Sequence, residues 1–146
     1  MKKIVFLVLI VALTACSALG GSEYSRNQKK WQDANITHYR FNLFVGCFCA
    51  FSQDMPLVIE VKDVEVVSMG YQTGNPLNEG DREYFSRFAT IDRLFLGLEE
   101  ALDQADRVTV TYQPTYGFPV EVNIDLIEQA ADDELYFTVS AFEALP

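Results

Sequence analysis

The chain's most reactive side chains are few: three cysteines and one histidine. Cys47 and Cys49 stand one residue apart. In an extended strand their Cα atoms lie about 6.6 Å apart, two steps of about 3.3 Å, at the upper edge of disulfide geometry. A bond between them requires a bend or bulge at Phe48, which Gly46 can permit. Four readings stay open: a small structural disulfide, a strained redox-active pair, a metal site, or two free thiols. The metal reading is short of ligands, since two thiolates and the distant His38 do not reach the usual four. No metal or other cofactor is expected. As the base of a nucleophilic triad, His38 lacks a serine in a Gly-x-Ser-x-Gly setting. It reads as a surface residue at a strand start, and no residue is assigned as catalytic.

The carboxylates are the second candidate. Gly97 to Pro146 holds 11 acids and one base, Arg107, whereas Cys16 to Leu96 holds 10 acids and 8 bases. Asp125, Glu128, Asp132, Asp133 and Glu134 gather near one predicted hairpin. The Asp-x-Asp-x-Asp-Gly spacing of a calcium loop is absent. The cluster reads as a solvated acidic turn, or as a surface for a basic protein partner. Tyr112 to Pro119 is either a loop presenting Tyr112, Tyr116 and Phe118 to a ligand or a plain turn, since Pro114 and Gly117 suit turn positions.

These groups sit in a chain of 146 residues with a formal charge of −10, 49% apolar and 13% aromatic. The acidity argues against nucleic-acid binding, and the apolar content against disorder. Lys2 and Lys3 precede an apolar run, Ile4 to Leu13, the pattern of a secretory signal and too short to span a bilayer. Leu13-Thr14-Ala15-Cys16 resembles the lipobox of bacterial lipoproteins. That resemblance implies cleavage before Cys16 and a diacylglycerol thioether, with fatty acyl chains such as palmitate, on its sulfur. Two or three chains give lasting membrane attachment. Ser17 resembles the signal for outer-membrane delivery, facing the periplasm, if the source is a diderm. Domains then follow: 1–15 signal peptide, 16–22 lipidated Cys and flexible tether, 23–146 one α+β domain. Without residues 1–15 the chain has 131 residues, 9 basic and 21 acidic groups, and a charge of −12.

The elements that must position these groups come from periodicity. Tyr24 and Trp31, seven apart, predict a short helix within 23–35. Tyr39 to Cys49 alternates as a strand, followed by Leu57–Lys62 and Val64–Met69. The residues from Gly70 to Ala89 read as irregular, partly packed down by Tyr71, Tyr84, Phe85 and Phe88. Thr90 caps a helix with an apolar stripe of Ile91, Leu94, Phe95, Leu98, Ala101, Leu102 and Ala105. Three more strands are expected at Arg107–Tyr112, Phe118–Asp125 and Glu134–Phe142, the last with Leu135, Phe137, Val139 and Ala141 on one face. The expected fold is α+β, an antiparallel sheet of about six strands with two helices in the order α-β-β-β-α-β-β-β. Pro56-Leu57-Val58-Ile59-Glu60-Val61 faintly echoes Pro119-Val120-Glu121-Val122, which leaves two pseudo-repeated halves as an option.

Trp31, Tyr39-Arg40-Phe41, Cys47-Phe48-Cys49, Ile91-Asp92-Arg93-Leu94-Phe95, Tyr112-Gln113-Pro114-Thr115-Tyr116-Gly117-Phe118-Pro119, Ile124-Asp125 and Asp132-Asp133-Glu134 occur in that order. Over roughly 28–143 this resembles a family of bacterial lipoproteins carrying a domain of unknown function. The hairpin Lys62-Asp63-Val64-Glu65 departs from it, since such domains usually carry a turn glycine. The resemblance implies an envelope lipoprotein and supplies no catalytic residues. The expected function is therefore a lipid-anchored, non-enzymatic binding or interaction module, partnered with the membrane through Cys16. The alternative is a small thiol-disulfide redox protein or enzyme using Cys47 and Cys49.

Overall fold

The computed structural model describes residues 18–46, 53–127, 130 and 134–146, with side chains from residue 23 onward. The chain runs α1 (Ala18–Ala34), β1 (His38–Gly46), β2 (Leu57–Lys62), β3 (Glu65–Tyr71), α2 (Glu79–Ser86), α3 (Ile91–Gln104), β4 (Arg107–Tyr112), β5 (Pro119–Asp125) and β6 (Glu134–Ala144). The fold is α+β. All six strands join one antiparallel sheet in the order β3-β2-β1-β6-β5-β4. Among the described residues no helix is long and apolar enough to cross a membrane.

Strand alternation decides which face is covered. Tyr39, Phe41, Leu43 and Val45 of β1 are buried with Leu57, Ile59 and Val61 of β2, Val122 and Ile124 of β5, and Phe137 and Val139 of β6. Register aligns them: Phe41 lies opposite Ile59, Leu43 opposite both Leu57 and Val139, and Val45 and Val122 opposite Phe137. The helices pack on this face. In α3, Ile91, Leu94, Phe95, Leu98 and Ala101 are buried, and Thr90 Oγ1 accepts from Arg93 N (3.1 Å), capping the helix as its sequence implies. Leu102, in the last turn, departs from the expected stripe at 46% exposed.

Four expectations change. The chain has three helices, not two, because α2 forms inside the stretch read as irregular. Asn78 caps it, its Oδ1 accepting from Asp81 N (2.9 Å), with Glu79 and Asp81 in the first turn, where carboxylates oppose the helix dipole. With only 8 residues and one buried side chain, Phe85, it has no apolar stripe to read. Next, Ala141 does not continue the face of Val139. It takes φ 48 at a register shift against β1, so Phe142 turns to the core and lies against Tyr39, 5.6 Å between ring centroids. The bulge inverts the alternation past Ser140. Finally, the halves are not equivalent. β1 is central while β4 is an edge strand running opposite to it. Superposing β1-β2-β3 on β4-β5-β6 would turn the sheet over, yet helices from both halves share one face. α1 also begins at Ala18 rather than Glu23 and so takes in 18–22.

Candidate functional site

α1 is a polar helix held down by three side chains. Tyr24, Asn27 and Trp31 share one face, at spacings of three and four, and are buried. The Tyr24 ring stands edge-on to Phe95, and its hydroxyl donates to Phe95 O (3.2 Å). Trp31 stands edge-on to Tyr39, Phe118 and Phe142, with ring centroids 5.3, 6.0 and 5.9 Å away. Its Nε1 donates to Asp92 Oδ1 (3.2 Å). Tyr39 Oη accepts from Ile91 N (3.1 Å) at the start of α3, and burial pushes its phenol well above the ordinary range. The start of α3 is thereby tied to both α1 and β1.

Asn27 marks where α1 meets the turn after β4. Gly117 has φ 81, and a Cβ there would stand 2.3 Å from Asn27 O and 2.8 Å from Lys30 Cβ. Only glycine allows both the conformation and the approach. Gly117 N donates to Gln113 O and Gln113 N to Phe118 O (both 2.8 Å), while Gln113 Oε1 accepts from Tyr116 N. Lys30 Nζ donates to Pro114 O (3.4 Å). The segment is a turn locked to α1. Phe118 lies in the core, and Tyr116 is half-buried against Phe142.

Beside that contact α1 and β4 enclose a groove of about 570 Å³, lined by Glu23, Arg26, Asn27, Lys30, Val110, Thr111 and Tyr112. Arg26 and Lys30, four apart, lie on one face of the helix. Consecutive strand residues point to opposite faces. A groove lined by Val110, Thr111 and Tyr112 together therefore runs along the strand's outer edge. Among the described residues β4 pairs only with β5. Gln113 N donates to Phe118 O, and Leu145 N to His38 O at the far side of β6 (both 2.8 Å). Carried through the register, that alternation turns Arg107, Thr109 and Thr111 toward β5 and points the N–H and C=O of Val108 and Val110 away from it. The Tyr112 phenol is pushed up to about 12, first by burial and then by Glu23 and Tyr24. It remains a neutral donor at neutral pH.

The acidic candidates lie elsewhere. Asp125 opposes Glu134 across β5 and β6, at the Arg107 end of β4. Tyr112 is five residues away along the strand, about 17 Å at about 3.4 Å per step. Asp125 and Glu134 border a hollow of about 140 Å³ with Arg107, Thr109, Asn123 and Tyr136. Tyr136 stacks on Phe44 (5.7 Å) directly over Gly46, where a Cβ would meet its ring at 2.0 Å. His38 is half-buried, with Nε2 3.0 Å from Glu60 Oε1 and Nδ1 2.9 Å from Pro146 O. Among the described residues no group of three or more His, Cys, Asp or Glu can hold a metal ion. Cys16, Cys47, Cys49, Glu128, Asp132 and Asp133 lie outside the described residues.

Of the residues singled out by sequence, the groove takes only Tyr112. Glu23, Arg26, Asn27, Lys30, Val110 and Thr111 were not singled out by sequence. The available signals were two cations at helical spacing on a helix otherwise noted for its aromatics, and a strand without lysine or proline. Residues 23–144 match a family of unknown function, DUF6174, and the chain belongs to that family. No curated protein and no solved structure matches the chain.

Proposed function

We propose that this member of the DUF6174 family is a lipid-anchored lipoprotein of the bacterial cell envelope, acting as a non-enzymatic binding module whose site is the groove between α1 and β4. The observation that carries this reading is the coupling of anchor to groove. α1 starts at Ala18, two residues after the lipobox Cys16, and its Glu23–Lys30 stretch forms one wall of the groove. At about 1.5 Å per residue, that wall begins about 7 Å and ends about 18 Å from the helix start. A partner held there stays beside the bilayer that the lipid on Cys16 enters. The lining combines two cations, a carboxylate, an amide, a phenol and an aliphatic side chain, a recognition chemistry of charge and hydrogen bonds over a small apolar floor. Ser17 supports the outer membrane, facing the periplasm, as the destination in a diderm.

Two measurements test the reading. Intact mass of the detergent-extracted protein is expected to show an acylated N-terminal Cys16, and Cys16→Ser to leave an uncleaved precursor; any other mature N-terminus sinks the anchor. A benzophenone side chain placed at position 111 of the anchored protein is expected to capture an envelope component on illumination. The same group at Ser68, on the opposite sheet edge, is expected to capture none. Equal capture at both positions, or none at 111, removes the groove as the binding site.

A further inference from the structure

We infer that the groove takes an extended acidic segment of another protein, added as a seventh strand along β4. This deepens the binding-module reading and rests on it. The first ground is the edge itself. Extended peptides bind by adding a strand to an exposed sheet edge, with main-chain bonds supplying affinity and alternate side chains specificity. Proteins normally blunt such edges with lysine, proline or bulges. From Val108 to Thr111, β4 has neither lysine nor proline, and its register runs unbroken from Arg107 to Thr111. The outward N–H and C=O groups of Val108 and Val110 are a ladder ready for a partner strand.

The second ground is charge. An added strand would turn alternate side chains toward α1 and the rest toward the open sheet face beside Thr109 and Thr111. Those on the helix side meet Arg26 and Lys30. The wall carries Arg26 and Lys30 against one carboxylate, Glu23, in a chain whose net charge is −10, so its local excess of positive charge is where an acidic segment finds attraction. Lys30 Nζ is held at 3.4 Å by a neutral carbonyl, Pro114 O, which a carboxylate can replace with a stronger, charge-assisted bond. Charge also argues against a second copy as the occupant. Two-fold pairing of β4 with β4 would set both α1 helices on one face of the joined sheet, bringing two Arg26 and two Lys30 side chains together at the seam. Like charges so placed disfavour the pairing.

The test uses the mature, lipidated chain in detergent and four synthetic ten-residue probes: a peptide alternating glutamate with threonine and valine, its lysine-for-glutamate counterpart, and two forms of the glutamate peptide N-methylated at alternate amides, one in each phase. The glutamate peptide is expected to bind, and the lysine peptide at least about tenfold more weakly. N-methylation in one phase is expected to weaken binding at least about tenfold and in the other to leave it unchanged, because only one set of amides faces β4. The double variant Arg26→Glu/Lys30→Glu is expected to reverse the preference between the glutamate and lysine peptides. Val108→Pro removes an outward N–H without touching the β5 ladder and is expected to weaken the glutamate peptide. Equal binding of both peptides, binding of neither, indifference to both N-methylation phases, or capture of phosphatidylglycerol vesicles in preference to the glutamate peptide overturns the inference. If the benzophenone at position 111 still captures an envelope component, the groove remains a binding site and only the strand-addition inference falls.

Discussion

The sheet ends in two edges with the same backbone chemistry and different surroundings. At β3 the edge follows a tight turn in which Asp63 and Val64 take φ 49 and 64, with Val64 71% exposed. The pairing of β3 with β2 also shifts register between Glu60 and Val61. A bulge there increases local twist and spoils the template for a further strand. There the extra residue, Val67, is on the edge strand itself, whereas the shift between Thr111 and Tyr112 of β4 puts its extra residue, Val120, on β5 and leaves β4 regular, with the groove beside it walled by Glu23, Arg26, Asn27 and Lys30 of α1. On the reading proposed above, the β4 edge differs because α1, distant in sequence, overhangs it with Glu23, Arg26, Asn27 and Lys30. Without that overhang it is only a hazard to be blunted.

The comparison breaks most decisively by releasing the overhang. Trp31→Ala removes the ring that holds α1 to Tyr39, Phe118 and Phe142. It is expected to cost about 3–5 kcal/mol in denaturant melts, as for other buried aromatic truncations, and to abolish any binding in the groove. A loss under about 1 kcal/mol would mean that α1 is not anchored through Trp31.

A matched pair of glycines tests the two edges directly. Gly117→Ala forces a Cβ at φ 81 to within 2.3 Å of Asn27 O, and is expected to cost about 2–4 kcal/mol from backbone strain and overlap. Gly70→Ala, on β3, places a Cβ with nothing within 4 Å, and is expected to shift stability by less than about 1 kcal/mol. Equal costs would show that the β4 turn is not pressed against α1.

The β3 turn offers the opposite sign. Val64 is β-branched and held in the left-handed region, which costs L-residues about 1–2 kcal/mol. Asp-Gly suits a two-residue hairpin turn with positive φ at both positions. Val64→Gly is expected to raise stability by about 1 kcal/mol and to leave groove binding unchanged.

The smallest effect lies at the junction the edges share. His38 on β1 links Glu60 of β2 to Pro146, beyond β6. The Glu60 side chain and, after it, the Pro146 carbonyl raise the imidazole pKa above its ordinary value, about 6.5. Because the folded value is the higher one, the stabilisation is fully present below about pH 6.5 and fades as pH rises through the folded value. Wild type is expected to gain over His38→Gln in acid melts and to lose that gain in alkaline ones. An imidazole NMR titration at or below the ordinary value would remove the effect.

The readable parts of this chain are those whose signals are local. α3 carries its cap, Thr90, and most of its apolar stripe within fifteen residues. The strands carry their faces in alternation. α2 escapes because a helix of 8 residues with one buried ring is held by an Asn cap and by the packing of Phe85 against Tyr71. The inversion at Ala141 escapes because a bulge is set by fit against β1, and the identity of Ala141 does not signal it. Tyr112 is legible as an aromatic at the end of a strand, and the fold sets it in the lining of the groove. Phe118, legible in the same way, belongs to the core because Trp31 and Phe142 close over it.

Periodicity along the chain, by itself, determined the α+β class and the antiparallel pairing, because burying one face of a strand or helix imposes a spacing that any short window displays. The tertiary structure alone decided the strand order, the non-equivalence of the halves and the groove. The groove's two walls, residues 23–30 and 110–112, lie eighty or more positions apart. They meet because Trp31, Tyr24 and Gly117 dock α1 beside the sheet edge, and no local pattern in either segment encodes that approach.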